Sequence, residues 1–340
     1  MTLLLLAALL AGCTNAVPPQ PTLPPERNGT APEQPIVRLP LMGPAASTSA
    51  EMSGMAWYGE QLVLLPQYPQ RGAPPGGQQL YALPKSDILT FLDTSTTRPL
   101  LPRPVPLVTN GVEGQIPYFQ GYEAIAFQGN QVYLTIEAGL RQMMGYIVRG
   151  SVAANLSEIR LDPTTLRPLY PPTNIHNAAY EALLVAGDTV LSFYEANGAN
   201  VNPQPTARVF GPDMVEQPPV PFPTLEYRVT DATPVDSQGK FWVANRMYSG
   251  SRNDYQPAPD GVALRHGTGP SHARSSEVER LVELHYGPNG ITLTDTPPIQ
   301  LELTETDGRN WEGIARLDQR GFLLISDKFP ETMLAFVAQP

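Results

Sequence analysis

The chain has 340 residues, and its 39 prolines are about 11% of the total, roughly twice the usual ~5%; proline is excluded from helix interiors and central strands, so short strands joined by rigid loops are favoured. Only 16% of residues are charged, the net charge is −10 and no basic run exists, which leaves no electrostatic footprint for nucleic acid. No P-loop or dinucleotide fingerprint is present, so nothing points to a nucleotide-dependent role.

The first element is "TLLLLAALLAGC", an apolar run ending in Leu10-Ala11-Gly12-Cys13. It is too short to span a bilayer as a mature helix, and small residues before a cleavage point mark a signal peptide over residues 1–12. LAGC resembles the bacterial lipobox, in which the cysteine is lipidated after cleavage, and Cys13 is the single cysteine of the chain. The resemblance implies a lipoprotein anchored to the bilayer of a bacterial cell envelope, facing the periplasm or the exterior. From Cys13 to residue 35 the chain is Pro-rich and nearly free of large apolar residues, a composition that cannot bury a core and reads as a tether. The globular domain is expected over 36–340.

That domain carries one hairpin pattern five times. "SGMAWYGEQLVLLPQ" (53–67), "EAIAFQGNQVYLTIE" (123–137), "EALLVAGDTVLSFYE" (181–195), "DATPVDSQGKFWVAN" (231–245) and "EGIARLDQRGFLLISD" (312–327) each hold two apolar strands around a turn. Alternation with Gly, Asn, Asp or Gln turns is a hairpin signal. The first residues are Ser53, Glu123, Glu181, Asp231 and Glu312; the last are Gln67, Glu137, Glu195, Asn245 and Asp327. Repeats spaced 50 to 81 residues apart predict an all-β fold, a β-propeller of five blades. The long gaps, 53–123 and 231–312, leave room for a sixth.

Each blade then needs two outer strands. "GYIVRG" and "SEIRLD" serve the second hairpin, "ARVF" and "LEYRVT" the third, "VERLVELHY" and "ITLTDT" the fourth. The last blade has only "TMLAFVA", so its missing strand is expected from "PIVRLPL" (35–41) in the N-terminal part of the domain. Closing the ring with one terminus removes the exposed seam. In such a ring the first and last residues of every hairpin lie at the same end of the blade, beside the central channel. Seven of those ten are carboxylic acids. Two charges ~6 Å apart repel by roughly 3 kcal/mol at an effective dielectric near 20, so the acids must hold protons, pair with bases or bind a cation. Arg246 and Lys328 are the bases adjoining the last residues. Hard oxygen donors suit Ca2+ better than Zn2+; the alternative is that the acids tie strand ends together.

The same segments, with "WVANRMYSG" and "NWEGIARLDQRGFLLISDKF", make the region 50–338 similar to the esterase-like phytase family of β-propellers. Departures are Pro66-Gln67 where that family tends to have Ser-Asp, and Glu-Ala-Leu in place of Glu-Gly at 181–183. The resemblance implies metal-assisted hydrolysis of a phosphate or other small ester. Glu123, Glu181, Asp231 and Glu312 would hold Ca2+, Arg246, with Lys328 and His176 near the mouth, would bind substrate, and Glu137, Glu195 or Asp327 would serve as general base. The competing reading is a non-catalytic ligand-binding or envelope-scaffold propeller. Ser53 lacks a G-x-S-x-G context and a placed histidine, and His176, His266, His272 and His285 show no zinc spacing. The Gly/Pro/Ser-rich stretch 248–276 reads as a lid or a plain loop, and Trp57, Trp242 and Trp311 as packing between blades.

Overall fold

The computed structural model describes residues 30–94, 96–304 and 308–340. The signal peptide and Cys13 lie outside the described residues, as does the tether up to residue 29. Each of the five hairpins forms the two innermost strands of a four-stranded antiparallel blade. Blade 1 runs Met52–Tyr58, Gln61–Pro66, Gln79–Pro84 and Arg103–Val108. Blade 2 runs Phe119–Gln128, Gln131–Gly139, Met143–Val152 and Ile159–Leu161. Blade 3 runs Ala182–Ala186, Thr189–Phe193, Thr206–Phe210 and Glu216–Pro221. Blade 4 runs Arg228–Ala232, Lys240–Met247, Val278–Gly287 and Ile299–Leu301.

Blade 5 supplies Trp311–Leu317, Gly321–Ser326 and Leu334–Ala338 from the C-terminal part and takes Val37–Leu39 as its outer strand, antiparallel to Leu334–Ala338. The five inner strands touch in a closed cycle, 1 to 2 to 3 to 4 to 5 and back to 1. The protein is a five-bladed β-propeller closed by its N-terminal strand.

The packing follows from strand periodicity. Successive residues of a strand face opposite sides, and each blade is covered on both sides by its neighbours. Val190 therefore enters the seam between blades 2 and 3 while Leu191 enters that between 3 and 4. In blade 1, Val63 faces blade 2 while Leu62 and Leu64 face blade 5. Five apolar clusters result, one per seam. Trp242 and Trp311 fill the seam between blades 4 and 5, and Trp57 donates its indole N–H to Arg316 O of blade 5 at 2.7 Å.

The long gaps do not hold a sixth blade. The first contains the helix Lys85–Thr94 between the third and fourth strands of blade 1, and the second contains a stretch with helices Arg252–Tyr255 and Gly261–His266 between the second and third strands of blade 4. Two outer-strand expectations change. "LEYRVT" leads into the innermost strand of blade 4, and Glu216–Pro221 takes the outer place in blade 3. "ITLTDT" yields Gly290–Leu293, which pairs with the far end of Val278–Gly287, while Ile299–Leu301 holds the fourth position. Residues 30–35, read from composition as tether, are part of the fold: Glu33–Gln34 pairs in parallel with Ile299–Leu301. The Glu33 carboxylate explains why, since it accepts from the backbone N–H groups of Ser271 and His272 at 3.0 and 3.1 Å and lies 2.8 Å from His272 Nδ1.

Leu39 is 1% exposed in the seam between blades 5 and 1, whereas Val37 on the same closing strand is 48% exposed. Leu39→Ala is expected to cost about 2–4 kcal/mol through the lost burial and the cavity left behind. Val37→Ala should change stability by less than about 0.5 kcal/mol. Denaturant midpoints of the two variants, compared with the parent, check this.

Candidate functional site

The inner strands deliver a funnel of about 520 Å3, lined on its floor by Ser53, Glu123, Glu137, Glu181, Arg228, Arg246 and Glu312. Toward the mouth stand Glu51, Gln67, Tyr68, Tyr248, Glu277, Asp327, Lys328 and Phe329. A recurring irregularity aims these side chains. In blades 1, 2, 4 and 5 the pairing of the two inner strands slips near the start of the first, at 52–54, 122–125, 229–231 and 311–313. Such a bulge bends the strand and re-aims a side chain. Ser53, Glu123, Thr230 and Glu312 lie in the slipped segments, and Glu181 directly precedes its strand. In blades 1 and 5 the residue that follows is glycine because the neighbouring backbone is close: a Cβ on Gly54 would sit 3.1 Å from Glu123 O, and one on Gly313 would sit 3.1 Å from Met55 N.

Blade 4 departs from the expected register by one residue. Its strands pair Val229 with Asn245 and Asp231 with Ala244, so Thr230 and Arg246 occupy the places assigned from sequence to Asp231 and Asn245. A one-residue slip turns side chains to the other face. Asp231 accordingly leaves the funnel, and its oxygens accept from the backbone N–H groups of Ala232 and Ile314, both at 2.8 Å. It is an inter-blade clamp, not a channel ligand. Asn245 Nδ2 donates to Glu226 O and Arg228 O at 3.0 Å, and its oxygen accepts from Arg280 at 2.8 Å.

Arg228, expected in an outer strand of blade 3, stands instead at the start of the innermost strand of blade 4. Buried at the head of blade 4, it donates to Glu181 at 2.7 Å and to Glu195, with the Tyr255 ring centroid 5.9 Å away. Arg246 donates to Glu312 at 2.6 Å and to Trp311 O at 3.1 Å. These guanidinium groups hold the oxygens that a cation would need. Of the four expected Ca2+ ligands, Glu181 and Glu312 face arginines, Asp231 is taken up by backbone N–H groups, and Glu123 alone has no such partner. Among the described residues no three His, Cys, Asp or Glu side chains gather into a metal-binding group. The donor set does not fit Ca2+ as the sequence led us to expect.

The remaining candidates divide similarly. Glu137 lines the funnel and is 3% exposed, with Oε1 lacking any hydrogen-bond partner. Glu195 is wholly buried behind Arg228 and does not line the cavity. Asp327 sits at the mouth and accepts from Phe329 N–H at 2.8 Å. Lys328 is there too, bound to Glu51 at 2.8 Å. His176 is exposed and outside the funnel; its neighbour Asn177 lines the wall instead. Ser53 donates to Tyr122 O at 2.7 Å, a strand tie rather than a nucleophile's geometry. The 248–276 stretch forms a wall through Tyr248 and Ser251, and Arg309 and Glu279 add a further ion pair at 2.8 Å.

Burial dominates the acid chemistry. It pushes Glu137 up to about 7, reinforced by Glu181 and opposed by Arg228. It pushes Glu181 up to about 8 against the pull of Arg228, and Glu312 up to about 8 against Arg246. Glu123 is raised well above the carboxylate range by burial, then by Glu137 and Glu181. The buried oxygens Glu181 Oε2 and Glu195 Oε1 have no hydrogen-bond partner.

No family model matches this chain, and no curated protein does. Solved structures similar to it include a glucose dehydrogenase, at 11% identity over 90% of this chain and 99% of that one, with a TM-score of 0.45. The soluble aldose sugar dehydrogenase of Escherichia coli is 9% identical over 90% of this chain and 99% of its own, TM-score 0.45. The GH43 endo-arabinanase of Bacillus licheniformis is 9% identical over 88% and 96%, TM-score 0.46.

Acids whose proton affinity is raised by folding bind more protons in the native state than in the unfolded chain. Their contribution to stability is complete below the ordinary value of 4.5 and is lost as pH rises toward 8. Calorimetric melting in chelator at constant ionic strength should therefore give a midpoint several degrees lower at pH 8 than at pH 5. A midpoint that is flat or rises over this range contradicts the buried-acid account.

Proposed function

We propose that the funnel is the active site of a hydrolase acting on small esters, carboxylic or phosphate. The observation that carries this reading is the pair Glu123 and Glu137. Both are buried, neither has an ion-pair partner among the described residues, and both open onto the cavity. A carboxyl group poised near neutrality in a cleft is suited to move protons. Glu137 takes the proton of the attacking water as its oxygen bonds to the carbonyl carbon or phosphorus. As the ester C–O or P–O bond breaks, Glu312, protonated near neutrality, returns a proton to the leaving alkoxide. Arg246 fixes the Glu312 carboxyl through its 2.6 Å bond. Each step uses only side chains that line the funnel.

The second reading is a non-catalytic propeller with a structural acidic ring. It is favoured by the clamps that Asp231, Arg228 and Arg246 make between blades. Assays on carboxylic and phosphate esters separate the two. Glu137→Gln should lower kcat by at least about a hundredfold, the usual weight of a general base, while melting at or above the parent's temperature, and chelator should leave the parent's rate intact. Absence of hydrolysis across both ester classes would leave only the ring reading.

The leader supports placing this propeller at a bacterial envelope, held to the bilayer through Cys13. Metabolic labelling with a fatty acid is expected to mark the parent and not Cys13→Ser, which should move to the soluble fraction; equal labelling of both would remove the anchor.

A further inference from the structure

The charges in the funnel are unevenly matched. Four basic side chains line it, and each already has an acid: Arg228 with Glu181 at 2.7 Å, Arg246 with Glu312 at 2.6 Å, Arg309 with Glu279 and Lys328 with Glu51, both at 2.8 Å. Glu123 and Glu137 have no ion-pair partner among the described residues. The Gln67 amide donates to Glu123 at 2.9 Å. Glu137 Oε1 is buried and unpartnered in a residue 3% exposed. An anionic ligand would have to break one of the existing pairs to find a positive charge. A cationic one would find two acids whose oxygens no basic side chain holds, among the described residues.

The corner also carries an aromatic side chain. Tyr68 lines the same cavity and directly follows Gln67, whose amide reaches Glu123; burial first, then Glu51 and Glu123, raise the proton affinity of its hydroxyl, against the pull of Arg71. The Arg71 guanidinium stacks on the Tyr68 ring at 3.7 Å, so the ring is held in place. Carboxylate acceptors beside an aromatic group form the usual receptor for a substituted ammonium. Ca2+ asks for six to eight oxygens, and here an amide N–H is turned toward one of only two acids.

We propose that the Glu123–Glu137–Tyr68 corner is a subsite for a primary ammonium group, so that the funnel takes amine-bearing ligands in preference to anionic ones. In combination with the hydrolase reading, on which this part rests, the preferred substrates are esters that carry an ammonium group a few bonds from the scissile bond, the ammonium using one oxygen of Glu137 and the attacking water the other. The carboxylates accept the ammonium N–H donors, and the Tyr68 ring and hydroxyl close the third side.

Calorimetric titration of the whole protein tests the subsite directly. Hexylammonium is expected to bind with one site per chain, at least tenfold more tightly than 1-hexanol. Inorganic phosphate should show no saturable binding. Glu137→Gln should weaken hexylammonium at least tenfold while melting at or above the parent's temperature, since it removes a buried uncompensated acid, and Tyr68→Leu should weaken it severalfold. Equal affinity for hexanol, tighter binding of phosphate, or an unaltered Glu137→Gln variant overturns the proposal. Stoichiometric Ca2+ binding abolished by Glu137→Gln also overturns it, by giving the corner to a metal ion. Rates on ethyl 6-aminohexanoate and ethyl hexanoate keep the two readings apart. Ammonium binding without turnover of either ester removes the hydrolase and leaves the subsite. Turnover that favours the neutral ester, with no ammonium binding, removes the subsite and leaves the hydrolase.

Discussion

A guanidinium group held between two buried carboxylates governs the centre of this propeller. Five inner strands converge on one axis, and the hairpin length brings the ends of each pair to the same rim. The acids there are removed from water, where an uncompensated charge costs several kcal/mol. Arg228 answers Glu181 and Glu195 together, Arg246 answers Glu312, and raised proton affinities absorb part of the rest. The arginines come from blade 4 and act on acids of blades 3 and 5, so neutralising the axis also ties neighbouring blades together. What is left over, Glu123 and Glu137 from blade 2, is the part of the ring free to deal with a ligand.

The backbone follows the same economy of space. Gly54 and Gly313 stand where neighbouring inner strands approach too closely for larger side chains. In blade 4 the corresponding place is taken by Asp231, whose carboxylate bonds the Ile314 N–H instead. A glycine and a buried aspartate thus solve one problem in two ways, by yielding room and by bridging it.

Much of this was legible in the sequence because strand alternation and turn chemistry repeat with the blade. The five hairpins, the closing strand near residue 37 and the convergence of Glu123, Glu137, Glu181 and Glu312 on one funnel all come from that periodicity. The fourth repeat misled for a local reason. Its aspartate resembles the acids of the other repeats, but the bulge at 229–231 sets Thr230 in their column and turns Asp231 away. The large apolar residue before each column, Met52, Tyr122, Tyr180 and Trp311, was the usable signal, since Val229 continues it. Read that way, Arg228 and Arg246 come to the axis and the crowding of acids finds its counter-charges without a metal. The ligand set for Ca2+ depended on side-chain direction, which spacing does not specify when a strand slips. The docking of Glu33 onto Ser271 and His272 was invisible for a different reason: composition reports what cannot form a core, and a two-residue strand pinned by one carboxylate needs none.

The closing strand has a bearing on how the molecule assembles. Val37–Leu39 hydrogen-bonds to Leu334–Ala338, so blade 5 is completed by segments nearly three hundred residues apart. Every other blade can be built from a contiguous stretch as it leaves the ribosome. Blade 5 cannot, and until it is finished the edge of Leu334–Ala338 stays open as a template for a strand from another chain. The bonds that complete blade 5 therefore also bear on whether the protein remains single or is captured by a neighbour, since they cover the edge that another chain would pair with.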